Sequence, residues 1–361
     1  MAWNHRITIR SIAIAAAGIL ALSIQIAAAK PAAKEIPHGL WVGSQTYISE
    51  FQGLALEQSG EPGARISFDT KDYFTPLSIT FDRHKNLWVT SLGTDNDLFP
   101  IIEISPADIA LLKTGKPVKR KVVIIPGEAF GSSASSGLAF DAAGDLWAAN
   151  VSGRAIMMFR PNQIEKSGNP WPRIVISSPA FFPWAIRFDA SDNLWATADA
   201  QHVFRFAPRD RAASGPPNPS LVVNVPDGLD PVDLAFDSAG NLWLAGPGSS
   251  GDEIEMIPAS DLTGSGEIAP TAAVTITSSA FGVPADPGTC LGGIDFDDSG
   301  DLWASVTGTN AICEADTQVV EFTPSQLSTG GSLTPTVAIG QNSTGTNLFL
   351  PGPIRFGRAL K

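Results

Sequence analysis

Five times along the chain a phenylalanine is followed seven residues later by a tryptophan, each time inside one phrase: FDRHKNLW, FDAAGDLW, FDASDNLW, FDSAGNLW and FDDSGDLW. The pairs are Phe81 with Trp88, Phe140 with Trp147, Phe188 with Trp195, Phe236 with Trp243 and Phe296 with Trp303. A sixth unit is divided between the two ends. Trp41 in GLWVGS has Lys34 seven residues before it, and Phe356 in PIRFGR has no residue at position 363 to pair with. A repeat whose second half opens the chain and whose first half closes it describes a ring. Units of this length are too short to fold alone and stack to share a core, so the expected architecture is an all-β, six-bladed β-propeller.

The steps between successive phenylalanines are 59, 48, 48, 60 and 60 residues, a span that suits a four-stranded blade with loops of varied length. Gly137-Leu138-Ala139-Phe140 and its counterparts alternate as an inner strand does, and Leu-Trp opens the next strand. Between them lies a tight turn. Asp82, Asp141, Asp189, Asp237 and Asp297 are placed to accept amide hydrogens two residues on. Gly144, Gly240 and Gly300 fall where such a turn needs a left-handed residue, and Lys85 and Asp192 must adopt it at some cost. The second half of each unit runs strand, x-Pro, polar excursion, β-branched strand. Ser105-Pro106 and Thr323-Pro324, with Asp108 and Gln326 three residues after the cap, predict one helical turn between strands three and four. The phenylalanines and tryptophans are expected to pack between blades. The ring is expected to close by pairing the C-terminal strand near 353–359 with N-terminal strands from about 38–70, which removes a free sheet edge.

Residues 1–29 read as an export signal. His5, Arg6 and Arg10 precede an apolar run from Ile12 to Leu22, and Ala27-Ala28-Ala29 offers a small-residue cleavage site. Residues 30–37 read as a linker and 38–361 as a single propeller, so the expected location is secreted or periplasmic. Loss of residues 1–29 removes two arginines and no acid, which takes the formal charge from −12 to about −14. So acidic a surface argues against nucleic acid and anionic membranes as partners. The two cysteines, Cys290 and Cys313, both fall in the fifth blade at one end of it. With export, a disulfide between them is expected, contributing about 3 kcal/mol by closing the loop. Neither has a CxxC partner or a nearby histidine that would suggest catalysis.

The shared phrase marks one end of every blade, so varied loops collect at the other, and the search for chemistry centres there. Candidate binding residues at that end are Asp95, Asp97, Asn150, Trp184, Asp199, His202, Asp233 and Glu314. Asp95, Asn96 and Asp97 offer the oxygen ligands that Ca²⁺ takes, and DDSGD at 297–301 faintly resembles a calcium loop without its spacing. His202 beside Asp199 has the make-up of a base or ligand held by a carboxylate. Phe130, Phe181, Phe281 and Phe349 recur in register and are expected to be packing anchors, whereas Phe182 and Trp184 are extra in their blade. No GxSxG, HExxH or phosphate loop occurs.

On the F-D-x-x-G-x-L-W phrase, residues 38–361 resemble the superfamily of six-bladed propellers that holds NHL-repeat proteins, gluconolactonase-like lactonases and virginiamycin B lyase. The resemblance to the lactonases implies a divalent metal on a Glu, two Asn and an Asp at the channel mouth. The matching positions before the inner strands are Leu77, Ser136, Trp184, Val232, Gly292 and Gly352, and none supplies a carboxylate or carboxamide. Asp233 is one residue out of register and Asp227 lies further upstream. A lyase-type site needs a histidine at the mouth, where His202 is the candidate. The expectation is therefore a monomeric, exported propeller that binds a protein or small ligand at its mouth, with no confident cofactor. The alternative is a metal-dependent lactonase or hydrolase with an atypical site. Three or more oxygen or nitrogen ligands gathered at the mouth would favour the enzyme; serine, glycine and aromatic side chains there would favour binding.

Overall fold

The computed structural model describes residues 39–44, 47–69, 74–93, 101–112, 123–125, 136–199, 201–249, 251–284, 290–307, 313–314, 316–340, 348 and 352–357. The stretches expected as signal and linker, together with Asp95, Asp97, Phe130 and Phe349, lie outside these residues. His38–Lys361 forms one compact unit.

Six antiparallel blades make up the fold. From the channel outward, blade 1 is Phe74–Phe81, Leu87–Gly93, Ile101–Ile104 and Val123–Ile125, and blade 2 is Gly137–Phe140, Leu146–Asn150, Ala155–Phe159 and Ile174–Ser177. Blade 3 is Ile186–Phe188, Leu194–Asp199, His202–Phe206 and Leu221–Asn224, and blade 4 is Asp233–Phe236, Leu242–Gly248, Gly251–Ile257 and Val274–Thr277. Blade 5 is Leu291–Phe296, Leu302–Val306, Gln318–Phe322 and Val337–Gly340. Blade 6 closes the ring as its split repeat requires. Ile354–Phe356 is its inner strand, paired Leu40 to Phe356 and Val42 to Ile354, and Leu40–Gly43, Tyr47–Phe51 and Ile66–Asp69 follow.

The repeated aromatic pair is the ring's internal seam. Each tryptophan meets the phenylalanine of the next blade edge to face: Trp41 with Phe81, Trp88 with Phe140, Trp147 with Phe188, Trp195 with Phe236, Trp243 with Phe296 and Trp303 with Phe356. Such a pair adds about 0.5–1.5 kcal/mol beyond its buried area. The turn aspartate does more than its sequence position suggested. Its Oδ1 accepts amides two and four residues on, as at Asp141 from Ala143 (3.0 Å) and Asp145 (2.9 Å), and its Oδ2 accepts the tryptophan indole N–H (3.0 Å to Trp147). Asp82, Asp189, Asp237 and Asp297 repeat the indole bond at 2.8–3.4 Å. A buried indole needs an acceptor, and this one also stiffens the hairpin that aims it. Lys85 and Asp192 take the left-handed conformation (φ 64° and 60°) that glycine takes in the sister turns.

The helical turns appear where the x-Pro signals placed them, at Pro106–Leu112, Pro161–Ile164 and Pro324–Leu327. In the last, Thr323 and Gln326 form a capping box. The segments after these turns do something the repeat does not announce. Gly266–Ile268, from blade 4, adds in parallel to the outer strand of blade 3, and Gly331–Ser332, from blade 5, adds to blade 4. Gly215 and Gly60 make the matching single bridges onto blades 2 and 5. Among the described residues, the outer edges of blades 2, 3, 4 and 5 are thus covered by a segment of the next blade, where they would otherwise offer unpaired backbone to another sheet.

Candidate functional site

Strand direction puts the shared turns at one end of the ring and the strand two-to-three hairpins, with the entries to inner strands, at the other. Along the channel the inner strands bring together residues the repeat does not share. The position before the inner phenylalanine reads Thr80, Ala139, Arg187, Ala235, Asp295 and Arg355 around the ring. Arg187 Nη2 donates to both oxygens of Asp233 (2.7 and 2.9 Å), and Arg355 approaches the same carboxylate at 4.0 Å. Asp233 Oδ2 also accepts the Ile294 amide of blade 5 at 3.0 Å. Asp295 accepts the Phe356 amide at 2.8 Å, and Ser78 accepts that of Leu138 at 3.1 Å. Polar side chains of one blade therefore hold the inner strand of the next. Asp233, a candidate binding residue, is buried, and its oxygens already face a guanidinium and a backbone amide.

The positions where lactonase ligands would stand are spent on structure or are apolar. Ser136 Oγ donates to the Pro183 carbonyl, Gly352 O accepts from Ser305 Oγ, and the Val232 amide donates to Ala245. Trp184 is half exposed (50%), and its amide donates to Thr197 Oγ1 at 3.0 Å. Its carbonyl lies against Gly137 at the start of blade 2's inner strand, which sets the indole's backbone at the rim of the channel. Phe182 is 40% exposed, with the Arg154 guanidinium 4.7 Å from its ring centre. Phe181 and Phe281, by contrast, are buried anchors as the register predicted.

Between blades 3 and 4 the varied end is acidic. Leu194–Asp199 and His202–Phe206 meet in a bulged hairpin, because the cross-strand register continues to Asp199–His202. His202 Nδ1 contacts both Asp199 oxygens, at 2.7 and 2.9 Å, so the carboxylate orients the ring and Nε2 has no partner among the described residues. Leu242–Gly248 and Gly251–Ile257 likewise form a tight hairpin. Asp230 has its carboxyl raised by burial and then by the Asp199 charge. Glu253 is raised by burial and then by Asp227, and Glu255 is pushed up to about 8 by burial, then by Glu253 and Asp227. Asp227, Asp230, Glu253 and Glu255 were not recognised as site residues on sequence grounds. The E-I-E alternation in GDEIEMI marks a strand without saying which face is wet, and packing shows the glutamate face to be interior.

The remaining candidates disperse. Asn150 is fully buried, and its Oδ1 accepts the Gly153 amide (2.7 Å), so it closes its own turn. Glu314 and Cys313 form a two-residue strand with Val283–Pro284, and Cys290 is buried at the head of blade 5 with its amide donated to Asp252. The DDSGD turn brings Asp297 and Asp301 together with Glu321, one ligand atom from each within 4.8 Å. That set sits at the shared-turn end, and Asp297 already accepts from Ser299, Asp301 and Trp303. A broad hollow of about 700 Å³ at the same end is lined by Asn193, Arg205, Arg209 and Thr263, with Arg205 engaged by the carbonyls of Leu262 and Gly264.

Fold and site together define a six-bladed β-propeller with an acid- and aromatic-lined varied end. No protein-family model matches the chain, and no curated protein matches its sequence. Among solved structures it is similar to a protein from Lactobacillus plantarum (14% identity, 89% of this chain and 99% of that one, TM-score 0.53). It is also similar to a protein of unknown function from Bacteroides caccae (10% identity, 88% and 98%, TM-score 0.53). A putative gluconolactonase (15% identity, 78% and 83%, TM-score 0.47) and a streptogramin B lyase (14% identity, 80% of each chain, TM-score 0.46) are among the looser matches. At such identities the likeness concerns the fold.

Proposed function

We propose that this propeller is an exported binding scaffold that takes a protein or small ligand at the rim of its varied end. The observation that carries the reading is the state of the six lactonase-equivalent positions. They hold Leu77, Ser136, Trp184, Val232, Gly292 and Gly352, while Asp233, next to that register, is locked to Arg187 and Ile294. A ring mouth of serine, glycine and an exposed indole supplies contact area rather than a ligand set for catalysis. Trp184 and Phe182 are the anchors of this surface, and Asp199, His202 and Asp230 are its polar flank. Export and a Cys290–Cys313 bridge belong to the same reading. Supporting the bridge, Cys290 is not a free thiol and the described residues contain no free cysteine. The test is a thermal-shift screen of sugars, lactones, peptides and amines on the full chain, repeated on Trp184→Ala. The reading expects a stabilising ligand whose effect disappears in Trp184→Ala with the unliganded melting point unchanged. A ligand that stabilises both proteins equally would place binding elsewhere and overturn it.

A further inference from the structure

One carboxylate in the gap between blades 3 and 4 has no partner to justify its burial. Glu255 is fully buried, and neither of its carboxyl oxygens has a hydrogen-bond partner. It pairs across the sheet with Leu244 and Thr275. The same register position in the other blades is Ser49, Ile102, Met157, Phe204 and Val320, and Ser49 is hydrogen-bonded to Ser67. Glu255 is thus an acid where the repeat otherwise places apolar side chains or a satisfied hydroxyl. An ionised carboxylate left there alone is strongly disfavoured.

Its neighbours are more acids. Glu253 shares its strand face, as alternate residues of a strand do. Glu253 Oε1 is buried and also without a partner. The Glu253 side chain lies over Gly248 so closely that a Cβ there would fall 1.6 Å from Oε1, so that glycine makes room for it. Asp227, on the Pro226–Gly228 turn entering blade 4, is exposed at the mouth and acts electrostatically on both glutamates. We propose that Glu255, Glu253 and Asp227 form a cation site between blades 3 and 4 that takes a hard divalent ion of the calcium type. Oxygen donors alone, three of them carboxylates, suit Ca²⁺, which accepts six to eight oxygens in flexible geometry.

The comparison with the other acidic set shows what decides. Asp297, Asp301 and Glu321 lie closer together, yet the Asp297 lone pairs are taken by two amides and an indole. The Glu255 lone pairs are all uncommitted. The wider spacing of its set requires Glu253 to swing as the ion enters. This site is separate from the Trp184 rim, and either can fail without the other.

The experiment is calorimetric titration of the full chain with CaCl₂ alone, with melting curves in CaCl₂ and in EDTA, for wild type, Glu255→Gln and Asp301→Asn. Glu255→Gln removes a buried ionisable group while keeping its shape and is expected to fold, melting in EDTA no lower than wild type. The expected result is one Ca²⁺ per chain, a higher melting point with Ca²⁺, and at least tenfold weaker binding with no Ca²⁺-dependent shift in Glu255→Gln. Asp301→Asn should keep both. Absence of Ca²⁺ uptake by wild type, uptake unchanged in Glu255→Gln, or uptake lost in Asp301→Asn would each overturn the assignment.

Discussion

The turn aspartates share one job but not one energy, and Asp141→Ala exposes the difference. Asp141 accepts two turn amides and the Trp147 indole, as its sisters do, and it alone also accepts Arg211 Nη1 at 3.0 Å. Arg211 is buried, stacks over Trp147 and Phe188, and has Asp192 as its other charged partner. Truncating Asp141 strands a fully buried indole N–H, at about 1–3 kcal/mol, and breaks a buried ion pair, about 3–5 kcal/mol when one partner is removed. Asp192 retains part of the Arg211 charge, so a total of about 4 kcal/mol is expected. Asp189→Ala strands the more accessible Trp195 system with no arginine on the aspartate, and about 2 kcal/mol is expected. Urea unfolding followed by tryptophan fluorescence measures both. The double variant Asp141→Ala/Arg211→Met should recover about 2 kcal/mol over Asp141→Ala, because the unpaired charge is gone. Equal losses for the two aspartates, or no recovery in the double variant, would refute the ion-pair account of blade 2.

Glu103 is raised from 4.5 to about 7, chiefly by burial and then by the Asp82 and Asp108 charges. A raised folded-state pKa contributes stability that is present below about 4.5 and lost as pH climbs through 7. The full effect is up to about 3 kcal/mol. Glu103→Gln should flatten that part of the stability–pH curve, measured by urea midpoints between pH 4.5 and 8; an unchanged slope would contradict the burial argument. Gly246→Ala should cost at least about 3 kcal/mol by overpacking, because its Cβ would stand 2.0 Å from the Asp230 carbonyl. A fluorescence-monitored melt within a degree or two of wild type would show that the entry to blade 4 yields more easily than its packing implies. Truncation after Pro353 removes the inner strand of blade 6 and leaves Leu40–Gly43 unpaired on one edge. A monomer by light scattering with an undiminished melting point would contradict closure by that strand.

The ring was legible because one phrase does three jobs at once. Phe81, Asp82 and Trp88, and their counterparts, carry the interblade contact, the turn and the buried indole, so selection for packing repeats them together. The closure followed from Trp41 and Phe356 being halves of one unit. The edge straps were not legible, because Gly266–Ile268 and Gly331–Ser332 are too short to carry periodicity and pair in parallel with a neighbouring blade. At the mouth, His202 and Asp199 were placed together as their spacing suggested, though in a hairpin. The ion pair of Asp233 was not legible, since its partner Arg187 lies 46 residues away. The signal that would have found it is the arginine in AIRF and PIRF, where other units carry Thr80, Ala139 or Ala235. Glu255 escaped notice because alternation along a strand does not say which face is wet.

The most direct test of the central claim is hydrolysis. The full chain, loaded in turn with Ca²⁺, Mn²⁺ and Zn²⁺, is assayed against γ- and δ-lactones and aryl esters beside Asp233→Ala and His202→Ala. A binding propeller predicts rates at the buffer background for all three proteins. A metal-dependent rate in wild type that either substitution abolishes would mean that the mouth assembles a catalytic centre, and that the scaffold account is wrong.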